Sequence, residues 1–322
     1  MTINNIRELV AGDLGAVDAI IRARLYSEVD LIRKISEYII ANGGKRLRPT
    51  LVLLSAGAFS YKGNAHHELA AIVEFIHTAT LLHDDVVDES ALRRGNATAN
   101  AIFGNAASVL VGDFVYSRAF QMMVGIGELR VMEVLADATN TIAEGEVLQL
   151  LNCRNADIDE VSYLQVIRFK TAKLFEAAAR LGAVISHASV ADEQAMATYG
   201  MHLGTAFQLI DDVLDYSGDL SKMGKNVGDD LAEGKPTLPL IYAMQNSSPA
   251  ETQAIREAIQ QGGVENLPTV LQALASTRAL DYVRHQAEVE ALAAREAIHQ
   301  LKPGPHRDSL LQLAQFAVTR TF

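Results

Sequence analysis

The chain has few residues that interrupt helices and almost none that form covalent cross-links. Its one cysteine, Cys153, excludes an intramolecular disulfide and a cysteine-based zinc site. Only seven prolines occur, and residues 50–235 contain none, although average usage would place about nine there. Because proline removes a backbone donor and clashes with the preceding turn, its absence from this long stretch favours consecutive helices.

The chain also lacks positive charge and long apolar runs. The net charge of −11 excludes a general nucleic-acid binder, which needs a basic face for phosphates. No stretch approaches ~18 uninterrupted apolar residues, and the N-terminus lacks a signal-peptide pattern, so we expect no membrane span and a cytoplasmic protein. The 49% of hydrophobic residues is ample for a packed core.

Apolar residues recur at three- and four-residue spacing through most of the chain, which is the helical repeat. The predicted helices cover 67–90, 106–124, 130–152, 160–187, 192–217 and 238–246. Residues 246–268 are more polar and are predicted to form connecting helices and loops. Since no alternating strands, internal repeat or linker is visible, we predict an all-α fold, a single large helical bundle forming one domain over 1–322.

Two aspartate clusters share the spacing D-D-x-x-D. They consist of Asp84, Asp85 and Asp88, and of Asp211, Asp212 and Asp215. On a helix, the first and last members of each lie one turn apart on one face. Carboxylates so placed repel each other and cannot bind a phosphate directly, but Mg²⁺ accepts both carboxylate and phosphate oxygens. Chance would give two such motifs in roughly 0.002 of chains of this length, so the pair predicts a metal-bridged diphosphate site.

Cations accompany the acidic clusters. The string GGKRLRP occupies 43–49, and RRG at 93–95 follows the first cluster. Lys170 and Thr171 lie on a predicted helix, and Lys225 and Lys235 flank a glycine-rich loop that lacks P-loop spacing. An acidic chain that places its few cations beside its aspartates is predicted to hold anions there.

Together these strings resemble the signatures of the trans-type polyprenyl diphosphate synthase family. The matching segments are GGKRLRP, LLHDDVVDES with RRG, KTAKLFE at 170–176, FQLIDDVLDY at 207–216 and GDDLAEGKPTLPL at 228–240. Across most of the chain, the amino-acid sequence is most similar to the bacterial octaprenyl members of that family. The resemblance implies an isoprenoid synthase fold, a homodimer, and a central active-site cavity between facing aspartate motifs. It implies elongation of an allylic diphosphate, with farnesyl diphosphate as primer, by isopentenyl diphosphate, giving a long-chain product for respiratory quinone side chains such as that of ubiquinone.

The resemblance also implies a role for each matching residue. The six aspartates bind Mg²⁺, about three ions per active site. Isopentenyl diphosphate is held without metal by Lys45, Arg48, His77 and Arg94. The allylic diphosphate is contacted by Arg93, Lys170 and Lys235, with Lys225 nearby, while Thr171 and Gln208 line the carbocation region. The catalytic set is Asp84, Asp85, Asp88, Lys170, Asp211 and Lys235. His77 also lies seven residues before Asp84, about two turns away on the same helical face.

Product length is predicted from the helix before the first cluster. Ala79 and Thr80 lie about one turn before Asp84 and are small, so an open floor there admits a long chain, with about 5.4 Å of depth per turn. Phe120, Met122 and Met123 on a neighbouring predicted helix are candidates for the deeper floor. The same residues could equally be ordinary core positions.

Other functions fit the motifs less well. An HD-type phosphohydrolase with His83 and Asp84 as its doublet does not explain the second cluster or GGKRLRP. A terpene cyclase needs no isopentenyl site. A shorter-chain geranylgeranyl synthase and a non-catalytic subunit of a heteromeric synthase remain the alternatives, although the intact motifs argue against the second.

Overall fold

Helices account for nearly all regular structure in the parts of the chain that the structure describes. This computed structural model describes residues 3–41, 44–93, 95–217, 227–262 and 265–320. The sole pairing of strands within those ranges is a short antiparallel hairpin, β1 (Leu92–Arg93) with β2 (Asn96–Ala97). The all-α prediction is confirmed.

The helices of the first half precede and follow this hairpin. In chain order they are α1 (Ile3–Leu9), α2 (Ala11–Arg24), α3 (Asp30–Ala41), α4 (Leu47–Ala58), α5 (Ala65–Val87), α6 (Ala99–Phe103), α7 (Asn105–Ile126) and α8 (Leu129–Asn152). The predicted helices 67–90, 106–124 and 130–152 correspond to α5, α7 and α8.

The helices of the second half carry the other motifs. They are α9 (Glu160–Ile167), α10 (Lys173–Ile185), α11 (Val190–Ser217), α12 (Asp229–Ala232), α13 (Leu238–Asn246), α14 (Pro249–Gln261), α15 (Leu267–Ser276), α16 (Ala279–Ala297) and α17 (Pro305–Thr319). The predictions for 192–217 and 238–246 are confirmed. The polar stretch 246–268 forms α14, which begins with a capping box between Ser248 and Glu251, and turns.

The predicted helix 160–187 differs from the structure in one respect. Residues Arg168–Ala172 between α9 and α10 form a π-helical turn. Such a turn inserts an extra residue into the helical repeat, and it is often found at functional sites. Apolar spacing did not reveal it, because the residues on either side keep helical dihedrals.

The chain divides into two compact units. Unit 1 comprises residues 1–139, 174–200 and 297–313, and unit 2 comprises residues 140–173, 201–296 and 314–322. In unit 1, α4 is buried along most of its length, and α5 is buried continuously over residues 69–76. In unit 2, one cluster of core residues includes Leu209 and Val213 of α11, and a second includes Leu240 of α13 and Ile259 of α14. A single domain over 1–322 stays a prediction.

The helix α7 is long and apolar enough to pass a test for membrane spans by length and composition, the one such helix in the described ranges. Only 33% of its apolar window is buried. A single match of this kind is weak evidence for a membrane, since helices of soluble proteins pass the same test. Its exposed apolar residues include Leu110 and Val124.

Candidate active site

The first aspartate cluster lies at the C-terminal end of α5. Asp84 and Asp85 occupy the last turn, and Asp88 is the C-cap residue, whose backbone N–H donates to the carbonyl of Asp84 at 2.8 Å. Asp84 and Asp88 are half-buried, and Asp85 is buried. The C-terminus of a helix is the negative end of its dipole, so three carboxylates there are unfavourable unless a cation accompanies them.

Arg93 of β1 binds the buried member of this cluster. Its Nε donates to Oδ1 of Asp85 at 2.7 Å, and its Nη2 lies 2.6 Å from the same oxygen. Burial raises the pKa of Asp85, and Asp84 and Asp88 add to that rise, so that the opposing effect of Arg93 does not cancel it. Asn100 of α6 donates to the backbone carbonyl of Asp85 at 3.0 Å, which connects α6 to the end of α5.

The basic string, whose last three residues begin α4, contacts α5 through Arg48. Its Nη1 lies 3.2 Å from Nε2 of His77, and its guanidinium stacks 4.4 Å from the centre of the Phe175 ring. The two residues predicted for one substrate, Arg48 and His77, are therefore in contact. Lys45 is exposed, and its carbonyl accepts from Arg7 at 3.0 Å. Gly43 and Arg94 lie outside the described residues.

A cavity of about 100 Å³ in unit 1 is lined by residues of α5, of the hairpin and of the basic string. Its polar wall includes His77, Asp85, Arg93, Arg46 and Glu74. Arg46 is not among the residues that the motifs assign to a substrate. It adopts a left-handed backbone (φ 54°), and its Nη1 lies 2.5 Å from Oε1 of Glu74. The string GGKRLRP could have indicated a third cation here, but not that Glu74 would neutralise it.

The second aspartate cluster lies at the end of α11. Asp212 is buried, accepts from Nε2 of Gln208 at 2.9 Å and accepts a short hydrogen bond from the hydroxyl of Tyr163. Thr171 donates to Oε1 of Gln208 at 3.1 Å, so Thr171 and Gln208, predicted to lie together, are joined. Burial raises the pKa of Asp212 well above its usual range, and the nearby Asp230 carboxylate adds to the rise.

Asp211 has a partner that sequence reasoning missed. Nη2 of Arg320 lies 2.6 Å from Asp211 Oδ1 and also donates to the carbonyl of Phe207 at 2.7 Å. The guanidinium stacks 3.8 Å from the centre of the Phe207 ring. Arg320 follows α17, far along the chain from Asp211, and no motif surrounds it.

Asp215 makes hydrogen bonds to residues 228–230, which follow α11 in the chain. Its carbonyl accepts from the backbone N–H of Gly228 at 3.0 Å, and its Oδ2 lies 3.4 Å from the backbone nitrogen of Asp230. Asp215 is itself buried. Residues 228–230 therefore lie against the end of α11, close to the second cluster.

The two predicted catalytic lysines both pair with glutamates in unit 2. Nζ of Lys170, in the π turn, lies 2.5 Å from Oε2 of Glu146 on α8. Nζ of Lys235 lies 2.5 Å from Oε2 of Glu233. Lys225 falls outside the described residues. An added Cβ at Gly145 would come within 2.5 Å of the backbone nitrogen of Lys170, so the π turn packs closely on α8 at this glycine.

The residues predicted to set product length lie on α5 and α7. Ala79 and Met123 are fully buried, Met122 is nearly so, and Thr80 is half-buried with its hydroxyl donating to the carbonyl of His77 at 2.8 Å. Phe120 is 36% exposed, with its ring 5.2 Å from that of Tyr116. Their role in chain length stays a prediction.

The donor chemistry of both clusters fits a hard divalent cation. Carboxylate oxygens at a helix C-terminus stabilise positive charge, and Mg²⁺ needs only one or two carboxylates because it keeps several waters. Asp84, Asp88 and Asp211 are the less buried members. Asp85 and Asp212 already have protein partners, which orient these carboxylates.

Comparison with known proteins gives consistent results over the whole chain. The sequence profile of the polyprenyl synthetase family matches residues 29–275. The chain is 54% identical over 321 residues to the octaprenyl diphosphate synthase of Escherichia coli (strain K12), covering 99% of both chains. It is 49% identical over 323 residues to the octaprenyl diphosphate synthase of Haemophilus influenzae, covering 100% of this chain and 98% of that protein.

A solved structure gives the same result for the fold. The polyprenyl synthase of Caulobacter crescentus, complexed with calcium and isoprenyl diphosphate, superposes with a TM-score of 0.96 at 42% identity. The match covers 100% of this chain and 98% of that one.

Proposed function

The chain belongs to the polyprenyl synthetase family, and we propose that it makes octaprenyl diphosphate from farnesyl diphosphate by successive head-to-tail addition of isopentenyl diphosphate. It is a trans-prenyltransferase, an enzyme that elongates allylic diphosphates. Two relatives near half identity over their full length carry the octaprenyl name, which supports this product over geranylgeranyl diphosphate. The presence of every motif aspartate supports an active enzyme over a non-catalytic subunit.

The metal is proposed to be Mg²⁺, about three ions per active site, held by the two aspartate clusters. When bound, Mg²⁺ stabilises the negative charge that develops on the diphosphate leaving group. The calcium and isoprenyl diphosphate in the Caulobacter relative support a divalent cation beside a diphosphate. Arg93 and the residues Tyr163 and Gln208 orient the buried carboxylates of Asp85 and Asp212.

We assign the cationic side chains to two substrates, one of which loses its diphosphate in the reaction while the other keeps it. The allylic C–O bond must break, with its electron pair passing to the diphosphate, and we assign this diphosphate to Arg93, Lys170 and Lys235. Isopentenyl diphosphate must keep its own C–O bond, so we assign it to the metal-free set of Lys45, Arg48, His77 and Arg94. Its alkene attacks the allylic carbon, and the proton then lost passes to the departing diphosphate, since no side chain of the motifs is an evident base.

One observation carries the proposal most directly. His77 and Arg93, which the sequence assigns to different substrates, line the same cavity as the metal-cluster residue Asp85, and Arg48 contacts His77. One member of each cationic set therefore lies beside the first aspartate cluster, which suits a reaction between two diphosphates. Within unit 2, Thr171 and Gln208 form a neutral polar pair, which suits contact with a delocalised cation.

The experiment that tests this function is incorporation of labelled isopentenyl diphosphate into extractable lipid. Purified chain with farnesyl diphosphate and Mg²⁺ is expected to incorporate label, and chelation of the metal is expected to stop it. Asp84→Ala should lower turnover by a factor of about 10³ or more, because charge stabilisation of the leaving group is the main catalytic term. If label were still incorporated at the full rate after chelation of the metal and in the Asp84→Ala variant, the proposed chemistry would be excluded.

We further propose a cytoplasmic homodimer whose subunits meet through α7. Leu110 and Val124 of this helix are 67% and 62% exposed, and Val109 and Phe120 are exposed large hydrophobic residues as well, so α7 presents apolar side chains to its surroundings along most of its length. Leu110→Glu is expected to shift the sedimenting mass toward that of one chain. Leu292→Glu on α16, where the leucine is 54% exposed, is the matched control and should leave the mass unchanged.

A further inference from the structure

A group of metal-ligating side chains lies at the opposite end of α5 from its aspartates. Asp13 of α2 meets His66 and His67 of the first turn of α5. Nε2 of His67 lies 2.9 Å from Asp13 Oδ1, and Nε2 of His66 lies 3.7 Å from the same oxygen. One ligand atom from each residue falls within 4.8 Å of the other two, and among the described residues no second group of three meets this condition.

The surroundings of the two imidazoles are those of a partly enclosed site. Their side chains are only 14% and 16% exposed, and their rings lie 3.9 Å apart at a tilt of 35°. The edge of His66 packs against the ring of Tyr61, with the ring centres 5.4 Å apart. Nδ1 of His66 is buried without a hydrogen-bond partner. The ring of a third histidine, His306, packs directly against Gly57 within electrostatic reach of Asp13.

A simple ion pair accounts for only part of this arrangement. His67 and Asp13 alone would form one, but it does not explain why His66 stacks on a second imidazole with its Nε2 facing the same carboxylate oxygen at 3.7 Å. Burial and the neighbouring His67 lower the pKa of His66, outweighing the opposing effect of Asp13. A neutral imidazole offers the lone pair that a metal accepts.

We propose that Asp13, His66 and His67 bind one divalent transition-metal ion, with Zn²⁺ as the best match. Two imidazole nitrogens with one carboxylate oxygen suit Zn²⁺, whereas Mg²⁺ and Ca²⁺ require oxygen ligands throughout. With bonds of about 2.1 Å, tetrahedral ligand atoms lie roughly 3.4 Å apart, between the two observed separations from Asp13. Nε2 of His67 must present a lone pair to the ion, so the bond to the metal replaces the hydrogen bond between this nitrogen and Asp13.

The ion would connect α2 to the start of α5, helices that pack against each other in unit 1. The positive end of the α5 dipole opposes a cation, but the Asp13 carboxylate and Glu68 in the same turn offset it. Since Asp84 lies at the other end of this 23-residue helix, the ion has no direct contact with the reaction. We assign it a structural role that stabilises unit 1.

The test is calorimetric titration of Zn²⁺ into the metal-stripped full-length chain with excess Mg²⁺ present to occupy the aspartate clusters. One Zn²⁺ per chain is expected, with a rise in melting temperature of roughly 5 °C at a hundredfold excess over Kd. His66→Gln, His67→Gln and Asp13→Asn should each weaken binding by about 10- to 100-fold and leave turnover with Mg²⁺ unchanged. His285→Gln, which alters a histidine with a 70% exposed side chain, is the matched control and should bind as the unaltered chain does.

Two outcomes would overturn the site. The first is zinc binding that all three variants retain, and the second is zinc binding that excess Mg²⁺ abolishes. Circular dichroism of each metal-free variant checks that it is folded. Co²⁺ added to the unaltered chain gives a second measurement, because a four-coordinate site with two imidazoles absorbs visible light strongly and cobalt bound only by water and carboxylates does not. Absence of that band would likewise reject the proposal.

Discussion

The guanidinium of Arg93 holds the carboxylate of Asp85 through two nitrogens, Nε at 2.7 Å and Nη2 at 2.6 Å. The carboxylate is buried, and its pKa is raised despite this partner. Arg93 therefore orients this carboxylate and opposes the effect of burial, which favours the protonated form. This role adds to the diphosphate contact that the sequence predicts for Arg93.

Removing this arginine should destabilise the chain and lower turnover. Arg93→Gln leaves Asp85 buried without its cation, a loss of about 1–3 kcal/mol that thermal melting should detect as a fall of several degrees. Adding Asp85→Asn to that variant should recover part of the melting temperature and none of the activity. A double variant as unstable as the sum of the two single variants would show that the pair is not coupled.

The hydroxyl of Tyr163 is expected to matter more than that of Tyr282. Tyr163→Phe removes a donor to the buried Asp212 and should cost about 1–3 kcal/mol of stability, because the carboxylate cannot reach water. Tyr282→Phe removes a half-buried hydroxyl that donates to Glu160 at 3.0 Å and should cost less than half as much. Equal melting temperatures for the two variants would contradict this account of Asp212.

Two glycines on helices should respond in opposite directions to alanine. Gly145→Ala would bring a Cβ within 2.5 Å of the Lys170 backbone, so the π turn must move and turnover should fall by about tenfold or more. Gly15→Ala on α2 meets nothing within 4 Å and should raise stability by about 0.5–1 kcal/mol without affecting turnover. Melting temperature and steady-state rate, measured on both variants, test the contrast.

Ala79→Phe should shorten the product. The position is fully buried on α5, about one turn before Asp84, and an added ring would fill space that the account assigns to the growing chain. Some stability loss, about 1–3 kcal/mol, is expected from overpacking. The informative measurement is the product distribution per unit of label incorporated, and a slower enzyme with an unchanged distribution would refute the assignment of Ala79.

The sequence predicted the local features well and the long-range ones poorly. The bounds predicted for the helix that carries the first cluster, 67–90, differ from Ala65–Val87 by a few residues, because apolar spacing is a local property. The resemblance assigned Thr171 and Gln208 to one region of the site and Arg48 and His77 to one substrate, and the two side chains of each pair are in contact.

The unpredicted partners are separated far along the chain. Arg320 and Asp211 are 109 residues apart, and Tyr163 and Asp212 are 49 apart. No periodicity connects such pairs, since tertiary packing alone brings them together. The π turn was missed for a related reason, because it changes the helical phase without changing residue types.

The length of the product tests the central claim most directly. The unaltered chain is incubated with farnesyl diphosphate, excess labelled isopentenyl diphosphate and Mg²⁺, and the dephosphorylated products are sized by reversed-phase chromatography and mass spectrometry. The account predicts a distribution that ends at the octaprenyl product. A reaction that stops at geranylgeranyl, or no elongation of the primer at all, would contradict it.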